Sequence, residues 1–186
     1  MSTTTAIVLV IAVIAIAVAA YFYLQQRRTR TLHGRFGPEY ERTVASVGDC
    51  RRAESELETL AKRVERYPIR ELSPAEQERF AEAWLLCQGR FVDQPGDAVK
   101  EANDLVNEVM RERGYPVSAE FERNAADLSV DHPLVVEHYR IACDLAVRQS
   151  RGQASTEELR KAMMHYRELF EDLLGVHVAH AEEARR

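Results

Sequence analysis

The chain has 186 residues, of which 46% are hydrophobic and 30% charged, and its 25 basic and 30 acidic residues give a net charge of −5. This length is typical of one domain, and this balance excludes both a disordered acidic chain and a protein with many membrane spans. The three cysteines, Cys50, Cys87 and Cys143, form no Cys-x-x-Cys pair, which argues against a zinc ribbon and against a disulfide framework.

The first element in chain order is an uncharged segment. Charged residues begin only at Arg27, and Ala6 to Leu24 is a run of 19 consecutive apolar residues. A helix of that length spans about 28 Å at ~1.5 Å per residue, which is close to the hydrocarbon thickness of a bilayer. The sequence therefore predicts a transmembrane anchor over residues 1–26, with the lipid bilayer as a partner.

A basic flank follows the apolar run and predicts its orientation. Its four arginines are Arg27, Arg28, Arg30 and Arg35. Because basic flanks stay on the cytoplasmic side, we expect the N-terminus outside a bacterial inner membrane and residues 27–36 as a basic linker on the cytoplasmic face. The alternative is a signal peptide cleaved near residue 20, which would export the remaining chain. Signal peptides, however, carry their bases before the apolar core.

The balance of charge reverses after the linker. Beyond Phe36 there are 21 basic and 30 acidic residues, a net charge of −9. A domain of this sign is repelled by a phosphate backbone, so the sequence argues against a nucleic-acid partner.

Apolar residues at three-and-four spacing recur through residues 37–175 and predict an all-α bundle of about six helices, followed by a C-terminal tail at 176–186.

The first helix of this bundle is expected to run from Pro38 to Tyr67, with a bend at Gly48. A coiled-coil-like seam of two heptads at most follows the bend and comprises Cys50, Ala53, Leu57, Leu60, Val64 and Tyr67. A seam this short favours packing within the chain over dimerisation.

Two later helices have strong start signals. Ser73 and Ser155 each stand three residues before a glutamate, Glu76 and Glu158, as in a capping box. An apolar stripe follows each of them: Phe80, Trp84, Cys87 and Phe91 in the first helix, and Leu159, Ala162, Met163, Tyr166, Leu169, Phe170 and Leu173 in the second. We predict that both stripes face the core.

Motifs for phosphate binding, calcium binding, zinc proteolysis or serine hydrolysis do not occur in the sequence, so we predict no catalytic residue, no metal ligand and no cofactor. His177 and His180 lie three residues apart in the tail, which is only a weak metal-binding signal.

One pattern remains, the tripeptide His-Tyr-Arg at 138–140 and again at 165–167. In both copies the tyrosine lies on an apolar stripe, which places the histidine and the arginine at its edges. These edges are either a solvated rim or a docking or ligand surface along a helical hairpin. Asp131 and His132 lie just before the helix that carries the first copy, and we include them in the same surface. The predicted interaction surface comprises Asp131, His132, His138, Arg140, His165 and Arg167.

Five short segments carry a family resemblance: Arg-Phe-Gly-Pro-Glu-Tyr-Glu-Arg at 35–42, Arg-Phe-Val-Asp at 90–93, and the segments 110–116, 128–133 and 165–170. They are similar to segments of an uncharacterised family of small bacterial proteins, often membrane-anchored and often labelled hypothetical or secreted. The resemblance covers nearly all of the chain after Arg35 and implies an inner-membrane location. It implies no activity and no catalytic residue.

These features favour a non-enzymatic adaptor or scaffold, tethered to the membrane, whose helical surface docks another protein. The alternatives are a ligand sensor or enzyme that uses the His-Tyr-Arg hairpin, and an exported helical domain.

Overall fold

The structure is a computed structural model that describes the backbone of residues 3–175 and the side chains of residues 11–175. Eight helices and no strand occur in this part of the chain, which confirms the predicted all-α class. The helices are α1 (Thr3–Phe36), α2 (Pro38–Val47), α3 (Cys50–Val64), α4 (Pro74–Arg90), α5 (Pro95–Glu112), α6 (Phe121–Leu128), α7 (Val136–Ser150) and α8 (Thr156–Leu174). The predicted tail at 176–186, with His177 and His180, lies outside the described residues.

The pattern of contacts divides the chain into two compact units, residues 1–58 and residues 59–186. The division falls within α3, and the boundaries expected from the sequence, at residues 26, 36 and 175, remain predictions. The two units are described separately below.

The first unit contains α1, α2 and the first two turns of α3. The sequence predicted one bent helix from Pro38, but the structure ends α2 at Val47 and starts α3 at Cys50. Gly48 adopts the left-handed conformation with φ of 75°, and its amide donates to the Val44 carbonyl at 2.9 Å. This left-handed residue ends a helix because it turns the chain away from the helix axis. The Asp49 carboxylate then accepts the Arg52 amide at 2.8 Å and caps α3.

The predicted basic linker, residues 27–36, continues α1 without a break. Among residues 11–175, whose side chains the structure describes, no helix combines the length and the apolar character that crossing a membrane requires. The side chains of 6–10, which begin the predicted anchor, lie outside the described residues, whereas every side chain from Ile11 to Leu24 is exposed.

The second unit is built around α8, which packs against both α5 and α7, while α4 packs on α5 and α6 packs on α7. All seven residues of the apolar stripe predicted for this last helix are buried, which confirms that stripe. The Trp84 ring of α4 stacks on Phe170 with a centroid distance of 4.6 Å and an interplanar angle of 20°. Aromatic stacking of this kind adds to the free energy gained from burial.

The local start signals are also confirmed. Ser73 and Ser155 each accept a hydrogen bond from the backbone amide of the glutamate three residues on, and Glu76 and Glu158 each accept the cap residue's own amide. Both capping boxes satisfy amides that the first turn of a helix leaves without partners. They thereby set the positions at which α4 and α8 begin.

Candidate functional site

The two histidines of the repeated tripeptide meet between α7 and α8. The Nδ1 atoms of His138 and His165 lie 3.2 Å apart, and the two rings are nearly perpendicular, with centroids 5.0 Å apart and an angle of 71°. Tyr139 and Tyr166, the next residue in each copy, are buried in the core of the second unit. Since neighbouring residues of a helix point about 100° apart, burial of each tyrosine places its histidine at the edge of the interface.

The His165 ring is largely neutral near pH 7. Burial, with a contribution from the neighbouring His138, lowers the pKa of His165 below its ordinary value of 6.5. The carboxylates of Glu168 and Glu137 act in the opposite sense and raise that pKa. In the 3.2 Å contact one Nδ1 donates its hydrogen and the other accepts it, and the tautomers of the two rings decide which.

The two arginines of the tripeptide are engaged by carboxylates. Arg140 is buried, and its Nε lies 3.4 Å from an oxygen of Glu122. Arg167 is exposed, and its Nε donates to Glu171 one turn later at 2.5 Å. The structure therefore brings the two histidines together and pairs each arginine with an acid of its own.

A second polar cluster surrounds His132. The Nδ1 of this half-buried ring pairs with the Asp172 carboxylate of α8, and Arg113 Nη1 donates to its Nε2 at 3.3 Å. Arg113 also donates to the Leu173 carbonyl at 3.0 Å. Because both ring nitrogens have partners, His132 ties the loop before α7 to the end of α8.

The neighbouring Asp131 contacts Tyr115. The Tyr115 hydroxyl donates to its carboxylate at 2.8 Å, and burial together with this bond raises the pKa of Tyr115 above its ordinary value. The residue at the N-cap of α7 is Val135, which makes no side-chain cap. The loop is therefore fixed by side-chain contacts to α5 and α8.

The buried carboxylates of Asp127 and Glu54 were missed by sequence reasoning. In the second unit, Asp127 is almost fully buried, pairs with the Arg63 guanidinium, whose Nε donates to it at 3.0 Å, and accepts the Tyr67 hydroxyl at 3.2 Å. In the first unit, the fully buried Glu54 accepts the Thr29 hydroxyl at 2.6 Å.

Glu54 has further donors in the same unit. The Tyr40 hydroxyl lies 3.2 Å from one carboxylate oxygen, and Gln25 Nε2 lies 3.3 Å from the other. A hydrogen bond between Tyr40 and Cys50, with smaller contributions from burial and Glu54, raises the pKa of Tyr40. The sequence feature that could have identified Glu54 as buried is its position one turn before Leu57, on the apolar side of α3.

The three cysteines differ in burial, since Cys87 and Cys143 are buried and Cys50 is exposed. Burial raises the pKa of the Cys87 thiol to about 12 and that of Cys143 to about 11. Neither thiol therefore supplies a thiolate nucleophile near neutral pH. Cys50 is exposed, and its Sγ lies 3.2 Å from the Tyr40 hydroxyl.

An open groove of about 180 Å³ lies between α4 and α8 and is lined by Gln88, Phe91, Arg160, Met163, Met164 and Arg167. We call it the α4–α8 groove. Met164 is 53% exposed, and Arg160 Nη1 lies 3.1 Å from its sulfur. Arg160 also pairs with Glu157 at 2.7 Å. The α4–α8 groove thus combines an apolar floor with two guanidinium groups, one of which, Arg167, belongs to the predicted surface.

The membrane-flanking arginines all lie on α1. Arg27 and Arg30 are exposed, and Arg28 pairs with Glu58 at 2.6 Å. Arg35 is part of the last turn, where a cation interacts favourably with the helix dipole.

Within the described residues, no group of three or more His, Cys, Asp or Glu side chains is arranged to hold a metal ion. Comparison of the chain with protein-family models, with curated proteins and with solved structures gave no match. The functional argument therefore rests on the geometry of this chain.

Proposed function

We propose that this protein is a single-pass inner-membrane protein whose helical domain faces the cytoplasm and serves as an adaptor for another protein. The observation that carries the adaptor role is the α4–α8 groove. Methionine side chains adapt to differently shaped partners. The proposed partner accordingly presents apolar side chains to the groove, since Arg160 and Arg167 are already paired with Glu157 and Glu171.

The anchor is supported by the side chains of residues 11–24, all of which are apolar and exposed. Exposed apolar area costs about 25 cal/mol per Å² relative to an apolar environment, so a bilayer that covers this helix stabilises it. Arg27, Arg28 and Arg30 follow within two turns and support a cytoplasmic location for this end of the helix, because basic flanks stay on that side. Tyr21 and Tyr23 occupy the level where aromatic residues favour the headgroup region. The family resemblance supports the same location.

A site-specific photocrosslinking experiment tests the adaptor role. A photoreactive amino acid replaces Gln88, which lines the α4–α8 groove, or Leu134, an exposed aliphatic residue of the second unit that does not line it. We expect a discrete crosslinked species from position 88 alone, and the substitution Met164→Glu should abolish it. The same species from both positions, or its persistence in Met164→Glu, would contradict the proposal.

Reporter fusions at the C-terminus test the location. A cytoplasmic fluorescent reporter should be active and a periplasmic phosphatase inactive. Sodium carbonate washing should leave the chain in the membrane fraction. An active phosphatase fused to a shortened chain would instead identify an exported domain.

A further inference from the structure

The geometry of the histidine pair resembles that of two ligands on one metal ion. Zinc binds imidazole nitrogen at about 2.0–2.1 Å, and tetrahedral geometry then places two such nitrogens about 3.3 Å apart. The Nδ1 atoms of His138 and His165 are 3.2 Å apart in this structure. Little movement of either ring would therefore be needed for both nitrogens to contact a shared ion.

Imidazole binds a metal through a ring nitrogen that carries no hydrogen. For both Nδ1 atoms to bind, the ring that donates in the 3.2 Å contact must carry its hydrogen on Nε2 instead. This change of tautomer moves a hydrogen within one ring.

The surroundings favour a cation. The carboxylate of Glu137, the residue before His138, and that of Glu168, three residues after His165, create a negative potential near the two rings. The same potential lowers the energy of a divalent cation between the rings. Each carboxylate belongs to the same helix as one of the two histidines.

We propose that His138 and His165 form a two-ligand site for a divalent transition-metal ion of the class that prefers imidazole, such as Zn²⁺, Ni²⁺ or Cu²⁺. Water completes the coordination, since no third protein ligand converges on the pair among the described side chains. The ion joins α7 to α8, the two helices whose packing forms the centre of the second unit. The site is independent of the α4–α8 groove and of the adaptor role.

Metal titration of the full-length chain in detergent micelles tests the proposal, with NiCl₂ as the probe and a double substitution, His177→Gln with His180→Gln, as the common background. We expect one Ni²⁺ bound per chain and a melting temperature that rises with Ni²⁺. His138→Gln and His165→Gln should each weaken the affinity by at least about tenfold, because only one imidazole remains. His33→Gln, which removes an exposed histidine of α1, should leave it unchanged.

A second measurement keeps the test valid if a variant unfolds. Electron paramagnetic resonance of the background protein with one equivalent of Cu²⁺ should show coupling to two imidazole nitrogens. A spectrum with one nitrogen or none, or equal Ni²⁺ affinity in the His138→Gln, His165→Gln and His33→Gln chains, would overturn the proposal. Failure of the photocrosslinking experiment would leave this result unaffected.

Discussion

The buried carboxylate of Asp127 permits a quantitative prediction about the second unit. Its side chain is 1% exposed, whereas the Arg63 side chain that pairs with it is 41% exposed. Removing one partner of a buried ion pair costs about 3–5 kcal/mol, mainly because the other charge is left buried. Here the guanidinium that remains reaches water, so Asp127→Ala should lower the free energy of unfolding by about 2–3 kcal/mol.

The isosteric change Asp127→Asn should cost less. Asparagine keeps one oxygen that accepts a hydrogen bond, so either Arg63 or Tyr67 retains a partner. We expect a loss of about 1–2 kcal/mol, which is near the lower end of the value of one hydrogen bond to a charged group. The order of stability should therefore be wild type, then Asp127→Asn, then Asp127→Ala.

Urea unfolding of the full-length chain in detergent, followed by far-ultraviolet circular dichroism, measures these differences. The control is Asp144→Ala, which removes an exposed carboxylate of α7 and should change the free energy by no more than about 0.5 kcal/mol. If Asp127→Ala fell within the same range as the control, the ion pair would contribute nothing and the reasoning would be refuted. Substituting Asp127→Leu with Arg63→Met should recover part of the loss, because it leaves no uncompensated charge.

Three further predictions concern packing, capping and pH. Phe170→Ala removes a buried ring stacked on Trp84 and should cost about 3–5 kcal/mol in urea unfolding, with a red shift in the emission of the only tryptophan. Ser155→Ala removes the cap of α8 and should cost about 1 kcal/mol by the same assay. The pKa of His165 is lower in the folded state than in the unfolded chain, so the unfolded state binds more protons between those two values. Stability should therefore be fully present above about pH 6.5 and fall as the pH drops below it, and His165→Gln should reduce this dependence.

The packing and capping predictions each have a matched control. Met164→Ala truncates an exposed side chain of the same helix as Phe170, and a comparable loss of stability there would contradict the packing argument. Thr156→Ala, next to the cap, should have a smaller effect than Ser155→Ala. A pH profile that stays the same in His165→Gln would refute the assignment of the pH dependence to this residue.

The helical class and the inward faces of α4 and α8 were predictable from the sequence. Apolar spacing and capping residues act within one or two turns, so they can be read without knowledge of distant contacts. Ser73, Ser155 and the stripe from Leu159 to Leu173 are of this kind, and the structure confirms them. The break at Gly48 was expected only as a bend, because the choice between a bend and an end depends on the left-handed conformation that this glycine adopts.

The partners of the polar side chains were not predictable in the same way. Asp127 meets Arg63 across 64 positions of the chain, and His132 meets Asp172 across 40. No periodic pattern identifies such partners, since the contact depends on how whole helices pack. The predicted surface is accordingly divided, with His138 and His165 in contact and Asp131 and His132 in a separate cluster.

The sequence by itself determined the apolar segment with its arginine flank, the all-α class and the two capping boxes. These properties depend on composition and on neighbours within a few residues. Only the tertiary structure decided that the Nδ1 atoms of two histidines 27 positions apart lie within 3.2 Å of each other. The physical reason is that burial of Tyr139 and Tyr166 fixes the rotation of α7 and α8, and that rotation determines which edges of the two helices meet.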